Sequence, residues 1–205
     1  MLAVSAGLFA AKGYRAVSIR TIAHRSGVTL SSLYHHFGDK RALYLRAHLS
    51  EFQRSSARLE AALRVGERPE ERLLSFATEL CRVLSDPGPL FRLVARHWLE
   101  GDPDVIRSLA RATVPVQFNS VVRAIRGTSG GGDPRATTIA IYALVHGLVT
   151  LRPFEDSLLR RPAVPRSPER MSEFALRTLL PQVNWGRVRT RLARLESTPA
   201  EGAVP

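Results

Sequence analysis

Between Ser18 and Lys40 the chain carries many hydrogen-bonding and aromatic side chains and very little negative charge. If residues 29–37 form a helix, one of its faces presents hydroxyl, phenol and imidazole groups beside one leucine, with no acid among them. Such groups can donate hydrogen bonds to phosphate oxygens and can meet the edges of bases, which is the chemistry of nucleic-acid recognition. The side chains on this face are Leu30, Ser31, Ser32, Tyr34, His35 and His36.

Two short helices joined by a tight turn would position that face. Ser18 and Thr29 are short hydroxyl residues ahead of apolar-periodic runs, so each is a candidate N-cap. Gly27 can adopt a positive φ at no steric cost and can therefore end the first helix. Leu33 and Phe37 stand at i, i+4 and form the apolar side of the second helix. The pattern predicts a helix-turn-helix, whose second helix enters the major groove of DNA.

The same stretch resembles the DNA-binding segment of the TetR family of bacterial repressors. The resemblance covers about residues 2 to 48 without a gap, and beyond residue 50 it is only architectural. The matching positions are Leu8-Phe9, Gly13-Tyr14, Ser18, Ile22-Ala23, Gly27-Val28-Thr29, Ser32-Leu33-Tyr34, His36-Phe37, Lys40 and Leu43.

The predicted DNA-binding surface is made of two sets of side chains, of which the resemblance implies the first. A lysine at position 40 stands in the first turn of a helix, where it opposes the helix dipole, and a DNA phosphate would account for it. The residues implied to contact phosphates are Ser18, Tyr34, His36 and Lys40. The candidates for reading base edges are Arg20, Leu30, Ser31 and His35, and Thr29 and Ser32 complete the predicted surface.

The charge distribution favours a polyanionic partner. Residues 1–48 contain seven Lys or Arg and one acid, Asp39, hence a net charge of +6. The whole chain has a net charge of +12, so half of the excess lies in less than a quarter of its length. A local basic cluster of this kind is typical of nucleic-acid binding, although the general richness in arginine explains part of it.

The sequence contains no pattern typical of an enzyme, a metal site or a membrane span. Nucleophile elbows, phosphate-binding loops, dinucleotide fingerprints and metal-ligand spacings are absent, so we expect no catalysis, no cofactor and no metal. The single cysteine, Cys81, excludes an internal disulfide and suits a reducing compartment, which predicts a cytoplasmic protein with a buried thiol. The most apolar run, residues 139–151, is too short to cross a bilayer.

Helical periodicity and turn signals predict an all-α fold of about nine or ten helices. A three-helix DNA-binding domain is expected over residues 1–48. A larger helical domain for effector binding and dimerisation should follow over residues 49–196, and residues 197–205 have the composition of a disordered tail. Pro115 predicts a kink or a break in a long helix over residues 103–126.

The larger domain should contain a ligand pocket and a dimer interface. Aromatic residues favour a hydrophobic or amphipathic organic molecule, and an amide and an imidazole could orient it. The proposed pocket residues are Phe76, Phe91, Trp98, Phe118, Asn119, Tyr142 and His146. The resemblance implies that two protomers pair through the last two major helices. The proposed interface residues are Ile139, Ala143, Gly147, Thr150, Phe174 and Thr178; the alternative is that both helices are simply core.

Two functions remain open at this point. The first is a ligand-responsive regulator, most simply a repressor that binds a palindromic operator as a homodimer and is released by a small molecule. The second is an effector-binding or interaction module with weakened or lost DNA binding. The second gains some support from the short segment before the first helix. Family members usually carry further, often basic, residues there, and their absence would weaken contacts with DNA phosphates.

Overall fold

Twelve α-helices account for most of the described part of this computed structural model, which comprises residues 1–86, 88–100, 103–112, 114–128 and 132–197. No strand occurs among these residues, and the predicted all-α class is confirmed. The helices are α1 (Leu2–Ala16), α2 (Ile19–Ser26), α3 (Leu30–Phe37), α4 (Lys40–Ala62), α5 (Pro69–Ser85), α6 (Pro89–Glu100), α7 (Pro103–Ala112), α8 (Val114–Arg126), α9 (Pro134–Thr150), α10 (Arg152–Leu158), α11 (Pro168–Leu179) and α12 (Trp185–Ser197).

Helix α10 lies where the sequence predicts no helix. Helices α7 and α8 lie on either side of residue 113, within a stretch for which the sequence predicts one helix. The break predicted at Pro115 stays a prediction, because residue 113 and the side chain of Pro115 lie outside the described residues. The predicted tail also lies almost wholly outside them, since α12 ends at Ser197.

The chain divides into two compact units that interleave along the sequence. Unit 1 contains residues 1–57 and 84–116, and unit 2 contains residues 58–83 and 117–205. The boundary expected at residue 48 falls inside α4, as does the observed change of unit between residues 57 and 58. The expected DNA-binding domain over residues 1–48 and the expected effector-binding and dimerisation domain over residues 49–196 stay a prediction.

Unit 1 has a continuous apolar core that fixes the first four helices against one another. Phe9, Ile22, Leu33 and Leu43 are almost completely buried in it. Leu93 of α6 joins the same core, which explains why a segment distant in sequence belongs to this unit. Burial of such side chains is the main favourable term in folding, so the core sets the angle between α2 and α3.

Unit 2 is built around α5, α8, α9 and α11. Met171 and Leu176 of α11 and Ile141 of α9 are fully buried, and these two helices pack against each other. A buried hydrogen bond of 2.8 Å joins the hydroxyls of Thr78 in α5 and Ser172 in α11. Polar groups at this depth must be paired to avoid a desolvation cost, and this pair satisfies both hydroxyls.

The expected environment of Cys81 is confirmed. Its side chain is fully buried in α5, and burial raises the pKa of the thiol to about 12. A thiol in that state is a poor nucleophile, because the reactive form is the thiolate.

No single helix in the described ranges has the length and apolar character needed to cross a membrane. Helices α9 and α10 meet that test only when taken together, with a bend of 52° at their junction.

Candidate nucleic-acid interface

Helices α2 and α3 form the predicted helix-turn-helix, and both of its N-caps are made by side chains. The Ser18 hydroxyl accepts a hydrogen bond from the Thr21 amide at 3.0 Å. The Thr29 hydroxyl accepts one from the Ser32 amide at 3.1 Å. Each cap satisfies an amide that the helix itself leaves unpaired, so the start of each helix is fixed by one residue.

The turn between the two helices depends on Gly27. Its φ of 66° lies in the left-handed region, and its amide donates to the carbonyls of Ala23 and His24. An αL glycine after a helix ends it and reverses the chain with little strain, as the sequence predicts. Because Ala23 and Leu33 are buried on the inner side, the other side of α3 is left for a partner.

The predicted DNA-binding side chains lie on that outer surface. Seven of the ten are exposed and three are half-buried, and Tyr34 exposes 48% of its surface. The exposed residues are Ser18, Arg20, Thr29, Ser31, Tyr34, His35 and His36, and the half-buried ones are Leu30, Ser32 and Lys40. The fold therefore leaves all ten accessible, at least in part, to a duplex.

Lys40 has a contact that the sequence did not predict. Its ammonium lies 4.4 Å from the centroid of the Tyr14 ring, in cation–π geometry. Tyr14 in turn packs edge-on against Tyr44, with ring centroids 4.9 Å apart. Tyr14 thus restricts Lys40 at the start of α4. The Gly13-Tyr14 pair of the family pattern was the signal that could have identified this residue.

The end of α3 is also held against α4. Arg46 donates to the His36 carbonyl at 3.4 Å, and its guanidinium lies 5.6 Å from the centroid of the Phe37 ring. Both contacts come from one side chain and act on the last turn of α3. They fix the orientation of the helix that carries most of the predicted surface.

The one acid of residues 1–48 has a structural role. The Asp39 carboxylate accepts a hydrogen bond of 2.7 Å from the Ala42 amide, which caps α4. It also places a negative charge at the positive end of the helix dipole. The cap explains why an acid is present within an otherwise basic segment.

Loss of this cap is expected to lower stability. Replacing Asp39 with Ala should cost about 1 kcal/mol and lower the melting temperature by roughly 2–4 °C. Asp39→Asn keeps a side-chain oxygen at the cap and should lose much less. Thermal unfolding by circular dichroism measures both variants. Equal melting temperatures for the Asp39→Ala variant and the unaltered chain would contradict the role of the cap.

The seven predicted pocket residues fall in both units. Phe91 and Trp98 belong to unit 1, and the side chain of Trp98 lies outside the described residues. In unit 2, Phe76 is fully buried and packs edge-on against Tyr142, with ring centroids 5.7 Å apart. Burial raises the pKa of Tyr142, which keeps its phenol neutral.

The other three pocket candidates have different degrees of exposure. Phe118 and His146 are half-buried, and Asn119 is exposed. Partial burial lowers the pKa of His146, so a neutral imidazole is favoured. Two cavities lie elsewhere, one in each unit, and none of the seven residues lines either of them.

The predicted dimer residues lie on the outer side of α9 and α11. Ile139 exposes 60% of its surface and Phe174 exposes 39%, which is high for side chains of this size. Ala143, Thr150 and Thr178 are also exposed, and Gly147 is half-buried. These exposures place most of the six side chains outside the core of the single chain, and the dimer interface stays a prediction. Thr150 also lies beside His146, with 3.3 Å between the hydroxyl and Nδ1.

Within the described ranges, no group of three or more His, Cys, Asp or Glu side chains could hold a metal ion. His35 and His36 contact each other edge-on, with ring centroids 5.5 Å apart. Both remain exposed on α3, where an imidazole can donate to a phosphate or a base.

A capped helix-turn-helix with an accessible, acid-free outer face defines a DNA-binding protein of the helix-turn-helix class. Residues 1–47 match the model of the bacterial regulatory proteins of the tetR family. The match covers the whole helix-turn-helix and the start of α4, which together are less than a quarter of the chain.

One curated relative is the HTH-type transcriptional repressor KstR of Mycolicibacterium smegmatis. It is 31% identical over 90 residues, which are 44% of this chain and 44% of that protein. The match thus spans less than half of the repressor's length.

Solved structures share the fold over most of the chain. The fatty acid degradation regulator FadR from Bacillus halodurans has a TM-score of 0.70 at 13% identity, covering 89% of this chain and 97% of its own. A transcriptional regulator from Saccharomonospora viridis, in complex with choline, has a TM-score of 0.64 at 23% identity, covering 85% and 90%. At these identities the similarity establishes the fold alone.

Proposed function

We propose that this chain is a transcriptional repressor that binds a palindromic operator as a homodimer and is released by a small hydrophobic or amphipathic molecule. The observation that carries the proposal is the accessible, basic outer face of α2 and α3 beside a capped and rigid turn. The matched relative KstR is a repressor, which supports repression over activation as the function of this chain. The expected location is the cytoplasm, where the operator would be.

Pairing through α9 and α11 is supported by their exposed apolar residues. In a monomeric protein, two packed helices seldom expose large apolar side chains such as Ile139 and Phe174 to water on the same side. In a two-fold dimer the same patch contacts itself, so one stripe on each protomer is sufficient. The small residues Ala143 and Gly147 would allow the helices of the two protomers to approach closely.

An effector site in unit 2 is supported by partly buried polar groups among aromatic side chains. Tyr142 and His146 stand one turn apart on α9, and burial raises the pKa of Tyr142 and lowers that of His146, which favours the neutral form of each. Each can therefore form a hydrogen bond with a ligand without burying a charge. A ligand there would contact the same helix that carries the proposed dimer residues, so binding could alter the pairing of the two protomers.

The contact of Lys40 with a DNA phosphate gives the first test. Lys40→Ala should weaken binding to all duplexes to a similar extent and should reduce the slope of log K against log salt by about 1, because one counterion fewer is released. Fluorescence anisotropy over a series of salt concentrations measures this slope. Arg126→Ala, which removes an exposed charge from unit 2, is the matched control and should leave the slope unchanged. A changed sequence preference at an unchanged slope would contradict the phosphate role of Lys40.

The effector and the operator are expected to weaken each other's binding by the same factor. A ligand releases the repressor only if it prefers the DNA-incompetent state, and linkage then makes the coupling reciprocal. Calorimetry of a compound selected by thermal-shift screening, with and without operator, measures the factor. Equal affinities in the two titrations would show that this compound is not an inducer.

If no duplex binds, the alternative of an effector-binding or interaction module would replace the repressor. In that case the dimer interface and the ligand site could still exist, and both can be measured without DNA.

A further inference from the structure

A cavity of about 630 Å³ lies in unit 1, apart from the helix-turn-helix. The end of α1, the start of α4 and one residue of α6 form its wall, and none of its lining residues belongs to α2 or α3. Gly13 bends the chain at this place, with a φ of 80° inside the helical stretch. The side chains that characterise the wall are Lys12, Tyr14, Arg15, Arg41, Tyr44 and Arg96.

Every charged side chain on the described wall is a cation. Lys12, Arg15 and Arg41 are exposed at the rim, and Arg96 is half-buried. Arg96 also donates to the carbonyls of Ala10 and Ala11, at 3.1 and 3.4 Å, so α1 holds its guanidinium in place. Arginine and lysine side chains converging on one concave space produce a local positive potential, which attracts anions.

We infer that this cavity is a binding site for a small organic or inorganic polyanion that carries phosphate or carboxylate groups. Its volume falls in the range of small-molecule sites, roughly 300–1,000 Å³, and guanidinium groups bind phosphate and carboxylate oxygens in a bidentate manner. The aromatic rings of Tyr14 and Tyr44 form part of the wall, and an organic part of the ligand can pack against them. The DNA backbone is the less suitable occupant, because the site is concave and contains no residue of the helix-turn-helix.

An anion in this cavity would also act on Lys40. Tyr14 lines the cavity and carries the Lys40 ammonium 4.4 Å from the centre of its ring. The bound negative charge would lie within about one Debye length, roughly 8 Å at physiological ionic strength, of the side chains around that ring. It would lower the positive potential at the start of α4 and so weaken DNA binding. Only this coupling depends on the proposed function; the anion site itself does not.

Calorimetry of the full chain with sodium pyrophosphate tests the site. We expect one binding event per protomer that sodium chloride of equal ionic strength does not reproduce. The double variant Lys12→Gln/Arg15→Gln should bind pyrophosphate at least tenfold more weakly. Because both side chains are exposed, its melting temperature should match that of the unaltered chain.

The double variant Arg64→Gln/Arg126→Gln removes the same charge from exposed positions of unit 2 and is the matched control. It should keep its pyrophosphate affinity within twofold. Absence of specific binding, or equal losses in the two double variants, would overturn the site. If the unit 1 variant lost DNA affinity while no protein bound pyrophosphate, the wall would be a DNA backbone contact and the proposal would be wrong.

The coupling has its own measurement. Pyrophosphate should weaken operator binding by the unaltered chain more than sodium chloride of equal ionic strength, and this difference should disappear in the Lys12→Gln/Arg15→Gln variant. Pyrophosphate binding without any effect on the operator would overturn the coupling. If the chain bound no operator at all, the proposed repressor would fail while the calorimetric result for the site would still stand.

Discussion

Replacing Ala143 with Arg is expected to convert the proposed homodimer into monomers. Ala143 lies in the middle of the exposed stripe on α9, between Ile139 and Gly147. In a two-fold interface the substitution places two arginines near each other, with no acid in the stripe to pair with either of them. Burying an unpaired charge costs several kcal/mol, and the two-fold axis makes each protomer bear that cost.

Sedimentation or light scattering measures the outcome over a range of concentrations. Ala193→Arg makes the same substitution on an exposed position of α12 and should leave the dimer intact. The monomeric Ala143→Arg chain should also bind an operator much more weakly, because each monomer contacts only one half-site. If the Ala143→Arg chain stayed a dimer at every concentration, the α9–α11 surface would not be the interface.

Replacing Arg20 with Ala is expected to remove discrimination at one base pair of each half-site. Arg20 is exposed on α2 and can form a bidentate pair with guanine. The loss should be about 1–3 kcal/mol against the wrong base, which is a factor of roughly 5 to 150. Leu30→Ala should reduce a preference for thymine in the same way, through loss of contact with its methyl group.

Competition between duplexes that differ at single positions measures this discrimination. Arg25→Ala removes an exposed cation from the last turn of the same helix and serves as the control, with a general loss of affinity and no change of preference. If Arg20→Ala and Leu30→Ala both left the preferred sequence unchanged, the face assigned to base reading would be wrong.

The parts of the site that depend on short stretches of chain could be predicted from the sequence. Ser18, Gly27 and Thr29 act on amides or carbonyls within four residues of themselves, so their residue types are enough to place the caps and the turn. Ser167 ahead of Pro168 behaves in the same way at the start of α11. Caps and turns of this kind can be predicted from the types of residues that are close together in the chain.

Features that depend on distant contacts could not be predicted. The assignment of α6 to unit 1 follows from the burial of Leu93 and from the Arg96 hydrogen bonds to α1, some 85 residues away. The pairing of Lys40 with Tyr14 joins two helices that are separated by the whole helix-turn-helix. Neither contact has a periodic signal along the chain.

Helix α10 illustrates the same point over a shorter distance. Its Glu155 accepts hydrogen bonds from the amides of Ala163 and Val164, at 2.6 and 2.9 Å, which holds the following loop against the helix. Those bonds and the nearby Arg166 guanidinium lower the pKa of Glu155. A seven-residue helix with a proline in its first turn has too little periodicity to be predicted before these contacts are known.

Residue types and their spacing could identify inward-facing aromatic side chains, but they could not identify which of these side chains line a cavity. Apolar periodicity identifies Phe76 as an inward-facing residue, and it is fully buried against Tyr142. Whether an inward aromatic side chain lines a cavity or fills a core depends on the volume around it, which the spacing of residues does not encode.

The proposal that the chain is a sequence-specific repressor is tested most directly by footprinting the full chain on the DNA upstream of its own coding sequence. We expect one protected segment with two inverted half-sites, whose centres are separated by one helical turn of DNA or a multiple of it, as two-fold pairing of helix-turn-helix proteins requires. The affinity for that segment should fall steeply with salt, because several phosphates are neutralised. Uniform weak binding to every fragment, with no protected segment at any salt concentration, would contradict the account.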